Sequence, residues 1–302
     1  MSTSNRNKTT EQNLTDSCWE ILQEGLQLQL TILLVLNIFL AIVTILGNTL
    51  ILVALHHESS LYPPSKLLLR GLAASDLCVG LIFQPICGAF WISILVKNWT
   101  LCRYSKVLRF ILGYLLGSVS LLTLTAISVD RLLALLLKLR YRHVVTLKRT
   151  SLILVLIWVL STFAAVISRW NGSITTWYGY IGISLCLVLS SFSYSTIFWR
   201  LRQHQTQPQV QTNETSPLNI TRYKRVVASA LWLQLALITC YLPYQITDII
   251  YNLNDLTPSV FLAAQYSIIL IYLNSALNPI FYCWKIAEVR QALKDTLRKL
   301  CY

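Results

Sequence analysis

Beyond residue 27 the chain alternates between long apolar runs and short polar connectors. Crossing the hydrocarbon of a bilayer takes about 20 apolar residues in helical form. Seven runs meet that length: 28–55, 66–91, 105–137, 151–168, 177–199, 222–251 and 260–283. None shows the strict apolar/polar alternation of a barrel strand. In lipid every backbone N–H and C=O must find its partner inside the protein, so these runs are expected to be helices. The pattern predicts an all-α membrane protein, a bundle of seven spans over 28–283, with an N-terminal tail over 1–27 and a short tail over 284–302. The N-terminal tail is polar and carries no apolar core of a signal peptide, so the first span is expected to act as its own insertion signal.

The tail after the seventh span has its own period. Ile286, Val289, Leu293, Leu297 and Leu300 recur at spacings of three and four, opposite Lys285, Arg290, Lys294, Arg298 and Lys299. Such a stretch is expected to lie as an amphipathic helix on the inner membrane surface, in contact with lipid. Cys301 at its end is a candidate for reversible acylation, with an unmodified thiol as the alternative.

Composition supports the same solvent. The chain is 55% hydrophobic and 12% charged, about half the charge of a soluble domain. A net charge of +13 would suggest nucleic acid in a soluble protein. Here the basic residues sit between apolar runs, so they read as a topology signal and no nucleic-acid partner is expected. With the N-terminus outside, 18 of the 25 Lys and Arg residues fall on inner segments. The sequons at Asn7, Asn13, Asn98 and Asn171 then all lie outside and are candidates for glycosylation, whereas Asn213 and Asn219 lie inside. The expected location is the plasma membrane, multi-pass, with an extracellular N-terminus.

Some residues are costly in hydrocarbon. Asp76 is mid-span, and Asp130 and Arg131 sit near the inner end of the third span. A charge at the centre of a span costs about 2.5–3.5 kcal/mol on insertion scales, so these side chains are expected to face a polar interior. Asn48, Ser120, Asn274, Ser275 and Asn278 can join Asp76 in one cluster of oxygen ligands for a small hard cation such as sodium, with Asp76 and Ser120 as its ligands. The alternative is a hydrogen-bonded packing network without an ion. Pro243 and Pro279 break the ladders of the sixth and seventh spans and permit bends.

Span by span, these residues resemble the rhodopsin-like (class A) G protein-coupled receptors. The matching stretches are Gly47-Asn48, Leu72-Ala-Ala-Ser-Asp76, Asp130-Arg131-Leu132, Trp158, Tyr194, Cys240-Tyr241-Leu242-Pro243 and Asn278-Pro279-Ile-Phe-Tyr282. The resemblance implies a receptor that binds an extracellular ligand and activates a heterotrimeric G protein by outward movement of the sixth helix. It implies a sodium pocket at Asp76, Ser120, Asn274, Ser275 and Asn278. It also implies a coupling role for Arg131, held at rest by Asp130. Tyr194 and Tyr282 would gather near that arginine in the active state, and Tyr241 would be the toggle beneath the ligand. No cofactor is implied beyond an allosteric sodium ion.

The departures from the family pattern are as informative. Asp130-Arg131 is followed by Leu132 where Tyr is usual, Cys186 stands where the fifth span usually has proline, Leu237 replaces a usual Phe, and Tyr223 stands where an acidic partner for Arg131 is often found. The second outer loop, about 169–176, has no cysteine, so the family's usual bridge to it cannot form. Cys18 is a candidate partner for Cys102. Leu139-Arg140-Tyr141, Val145-Thr146 and 285–291 resemble the melanocortin and adenosine receptor group, although the ligand residues of neither are present.

The positions expected to face the outer cavity are Arg109, Gly113, Tyr114, Gly117, Tyr244, Gln245, Asp248, Ile268 and Tyr272. Gly113 and Gly117 would leave room and the tyrosines would supply aromatic walls. Arg109 suits an anionic ligand group and Asp248 a cationic one; the alternative is that the two are solvated or pair with each other. The ligand, small molecule or peptide, stays open. Arrestin docking by phosphorylation is expected to use the third inner loop, at residues such as Ser216. A seven-helix transporter is the alternative reading, but no internal repeat is visible. No metalloprotease motif, nucleophile elbow or paired catalytic carboxylates occur, so no enzyme is expected.

Overall fold

The computed structural model describes residues 26–57, 61–167, 172–206, 234–250 and 257–285, with 290, 291 and 294. Its elements are helices: α1 (Gln27–His57), α2 (Pro63–Leu95), α3 (Trp99–Leu137), α4 (Leu147–Ile167), α5 (Gly172–Thr206), α6 (234–250) and α7 (Pro258–Lys285). Among the described residues, six of them are long and apolar enough to cross a membrane. The seventh, α6, is described over too few residues to meet that length.

Helix ends lie beyond the edges that hydropathy predicts, because backbone capping rather than apolar content ends a helix. α3 begins at Trp99 instead of Ser105, since the Asn98 side chain accepts a hydrogen bond from the Leu101 N–H at 3.1 Å. α2 begins at Pro63, where proline suits the first turn because it lacks an N–H that would go unpaired. α5 starts at Gly172 and continues to Thr206. The second outer loop is thus shorter than expected, and the first part of the expected third inner loop, from Arg200, is helical.

α2 contains a feature not foreseen from the sequence. Residues Val79–Phe83 form a π-helical turn just before Pro85, where the missing N–H of proline already weakens the α-helical ladder. The turn packs against α1. A Cβ on Gly80 would come within 2.8 Å of Ile45 Cγ1 and 3.3 Å of Thr44 Cγ2. Glycine is required there for the two helices to meet. Gly47 does the same for α1 and α7, where a Cβ would stand 3.0 Å from Pro279 Cγ.

Two large apolar clusters and a small third one, Leu132, Tyr194 and Ile197, fill the bundle among the described residues. The outer one joins α1, α2, α3 and α7 through Leu33, Phe83, Trp91, Leu116 and Tyr272. The inner one joins α1 through α6 through Ile51, Leu72, Val119, Ile157, Cys186, Leu237 and Tyr241. The outward faces of α1, α4 and α5 keep large apolar side chains exposed, such as Phe39, Phe163 and Phe192. In water that would be an aggregation liability; facing lipid it is the expected surface.

Candidate functional site

Asp76 is fully buried. Its Oδ1 accepts from Ser275 Oγ at 2.8 Å and from Ser120 Oγ at 3.3 Å, and its Oδ2 accepts from Asn278 Nδ2 at 2.7 Å. Three helices therefore converge on one carboxylate, with Ser75 extending the chain through a 3.3 Å contact to Ser120. Each serine that gives its proton to Asp76 keeps oxygen lone pairs for a cation. Asn278 Oδ1 and Asn48 Oδ1 are buried acceptors without a partner among the described residues. An oxygen-rich donor set around a carboxylate is the chemistry a sodium ion requires.

Not every residue expected in this cluster bonds to Asp76. Asn48 Nδ2 donates to the backbone carbonyls of Thr44 at 2.9 Å and Ser275 at 3.2 Å, so Asn48 ties α1 to α7. The buried Asn274 Nδ2 has no partner among the described residues.

At the inner end of α3, Asp130 is buried and Arg131 is 42% exposed. Their side chains lie 3.4 Å apart. Asp130 has two further donors. Tyr141 Oη donates to Oδ1 at 2.6 Å and Ser65 Oγ to Oδ2 at 2.9 Å. Tyr141 belongs to a short helix, Tyr141–Val144, in the second inner loop. Tyr62 stacks at a tilt against it, with ring centroids 5.3 Å apart, and donates to the Val145 carbonyl at 2.6 Å. Sequence reading missed Ser65 and Tyr62 and saw Tyr141 only as part of a motif, because the fold alone brings the two inner loops together. Tyr194 is buried, hydrogen-bonded with Ser128 and electrostatically coupled to Arg131.

The family's usual proline, phenylalanine and tryptophan are replaced by Cys186, Leu237 and Tyr241, and all three pack in the inner cluster. Pro243 lies within α6 and Pro279 within α7. Tyr282 falls where side chains are not described, and Tyr223, Ser216, Asn7, Asn13, Asn171, Cys18 and Cys301 lie outside the described residues. Of the amphipathic helix over 285–300 only Arg290, Gln291 and Lys294 are described beyond α7, all helical. Asn98 is exposed, with its carbonyl oxygen capping α3. Cys102 is in a disulfide whose partner lies outside the described residues.

The outer positions differ from expectation in four places. The space beside Gly113 is taken by the Phe83 ring, 3.2 Å from a built Cβ, whereas nothing lies within 4 Å of one on Gly117. Only Gly117 leaves room. Tyr272 is fully buried; its hydroxyl donates to Cys87 Sγ at 2.8 Å and its ring meets Phe83 edge-on at 5.6 Å. It is a core residue rather than a cavity wall. Gln245 is buried and braces α6 against α5 by donating to Ser184 Oγ at 2.7 Å and the Tyr180 carbonyl at 3.1 Å. Arg109 does not pair with Asp248. It donates to Gln265 Oε1 and lies 4.1 Å from the centroid of the Phe90 ring, while Asp248 is hydrogen-bonded by Tyr180. Tyr114, Tyr244 and Ile268 are half-buried.

The model of the 7 transmembrane receptor (rhodopsin family) matches residues 47–169 and 165–282. The chain belongs to that family: it is a rhodopsin-like receptor and a multi-pass membrane protein. Among curated proteins it is similar to the adenosine receptor A3 of Ovis aries, 27% identical over 281 residues, covering 84% of this chain and 86% of that receptor. It is also similar to the histamine H2 receptor of Rattus norvegicus, 27% identical over 301 residues, covering 90% of this chain and 80% of that receptor. The adenosine similarity accords with the Leu139-Arg140-Tyr141, Val145-Thr146 and 285–291 stretches; the histamine similarity was not foreseen. Family membership leaves the transporter alternative without support.

Proposed function

We propose that this chain is a plasma-membrane receptor with its N-terminus outside, which on binding an extracellular ligand activates a heterotrimeric G protein through outward movement of α6. The observation that carries the reading is the state of Arg131. A half-exposed guanidinium stands at the inner mouth of the bundle. Its acid is already engaged by the neutral donors Tyr141 and Ser65. Such an arginine is released at little cost and offers a rigid fork of donors to carbonyls at the end of an incoming helix. An outside ligand can bias this equilibrium only by its different affinity for the two states.

The Asp76 seam lies between the outer cavity and Arg131, and it is the proposed seat of a sodium ion that favours the resting state. Arrestin, if it docks by phosphorylation, uses the third inner loop, Ser216 included. Cys18 is the proposed partner of Cys102, tethering the N-terminal tail beside the start of α3.

The test is a nucleotide-dependent pull-down from membranes with purified heterotrimers of each G protein class. Stable capture without nucleotide, reversed by a guanine nucleotide and lost in Arg131→Ala, is the expected result. Failure of every class to associate with well-expressed protein would overturn the reading.

A further inference from the structure

We propose that this receptor takes a ligand bearing an acidic oxyanion group, carboxylate or phosphate, and that Arg109 holds that group. The proposal rests on the receptor reading only in calling the molecule a ligand; the chemistry stands on the site.

Arg109 is half-buried on α3. A guanidinium has about five N–H donors and is never neutral in a protein. Only one described hydrogen bond uses them, from Nη1 to Gln265 Oε1. That oxygen also accepts from Trp91 Nε1 at 3.1 Å, which fills the two lone pairs of a neutral amide carbonyl. The acceptor therefore orients the guanidinium without neutralising it. No carboxylate lies within ion-pair reach of Arg109 among the described residues. The Phe90 face, 4.1 Å away, fixes the plane of the cation and adds a cation–π attraction, again without supplying negative charge.

The acid that sequence reading offered as partner, Asp248, is hydrogen-bonded by Tyr180 on α5, with Tyr114 and Tyr244 in its field. An incompletely paired charge that is partly withdrawn from water is costly unless an opposite charge arrives. A carboxylate or phosphate meets a guanidinium with two parallel hydrogen bonds, the strongest pairing available to it. Trp91 and Gln265, buried behind Arg109, hold the fork before the ligand comes, so little ordering remains to be done on binding.

The experiment uses purified full-length receptor and a matched set of probes: indole-3-butyrate, phenylbutyrate and phenylbutyl phosphate, the primary amides of the two acids, and tryptamine with phenylbutylamine. Saturable thermal stabilisation and displacement of a bound fluorescent aryl acid are measured. The acids are expected to bind at least tenfold more tightly than their amides, and the amines not to compete. That preference should vanish in Arg109→Gln and be reduced without vanishing in Arg109→Lys. Retained circular dichroism and surface expression identify folded variants, and Arg109→Lys keeps the charge should the glutamine variant fail to fold. Carboxylate and phosphate probes in separate arms show which oxyanion is preferred. Equal binding of acids and amides, or acid binding that survives Arg109→Gln, would overturn the proposal. Acid binding by a protein that captures no G protein would sink the receptor reading alone, and G protein capture with no preference for acids would sink this one alone.

Discussion

Two side chains already show their partners and so make sharp tests. Asn98 caps α3 with its carbonyl oxygen. Removing such a cap costs about 1 kcal/mol. Asn98→Ala should therefore lower the unfolding temperature of the purified receptor, and Asn98→Asp should not, because a carboxylate caps equally well. A glycan explanation predicts the same loss in both, since both destroy the sequon, so the comparison also decides what Asn98 is for. Asp130 is held by two donors, Tyr141 and Ser65, and pairs with the Arg131 charge. Asp130→Asn keeps an acceptor oxygen for the tyrosine, presents an N–H that the Ser65 hydroxyl oxygen can accept, and loses the charge that attracts Arg131. Ligand-independent nucleotide exchange should rise. Unchanged exchange at equal surface density would show that the pair does not restrain the resting state.

Among elements, close helix contacts were visible only as glycines in apolar runs. The sequence did not say which glycine meets what. The α1–α2 contact at Gly80 admits no Cβ without displacing Ile45. Overpacking of this kind costs about 1–3 kcal/mol. Gly80→Ala is expected to destabilise the receptor by that order, and Gly117→Ala, which meets nothing within 4 Å, to be nearly neutral. Thermal unfolding of the two variants side by side checks it; equal effects would mean that the π turn relaxes to absorb the methyl. That turn had no sequence signature beyond Pro85, because one proline is compatible with a bend, a kink or a π turn, and packing against α1 selects among them.

At the scale of the whole molecule, the Asp76 seam couples α2, α3 and α7 through one carboxylate. A ligand that binds the folded state alone raises its stability by mass action. Replacing choline with sodium at constant ionic strength should raise the unfolding temperature of the wild type. Asp76→Asn, which keeps hydrogen-bonding groups and loses the charge, should abolish that rise. A sodium response that persists in the variant would place the ion elsewhere.

The seven spans and the identity of the costly polar residues were legible in the chain itself. Lipid imposes a length and an apolar composition on each run separately, so these properties are local. Asp76, Ser120, Ser275 and Asn278 were also legible, because a polar group in hydrocarbon needs others like it. The partners of Arg109, Asp130 and Tyr272 were decided by the tertiary structure. Gln265 lies 156 residues beyond Arg109 and Cys87 lies 185 residues before Tyr272. Ser65 lies 65 residues before Asp130. Contacts at such separations depend on the rotation and crossing of whole helices, which the packing of all their neighbours sets jointly and which no single run encodes.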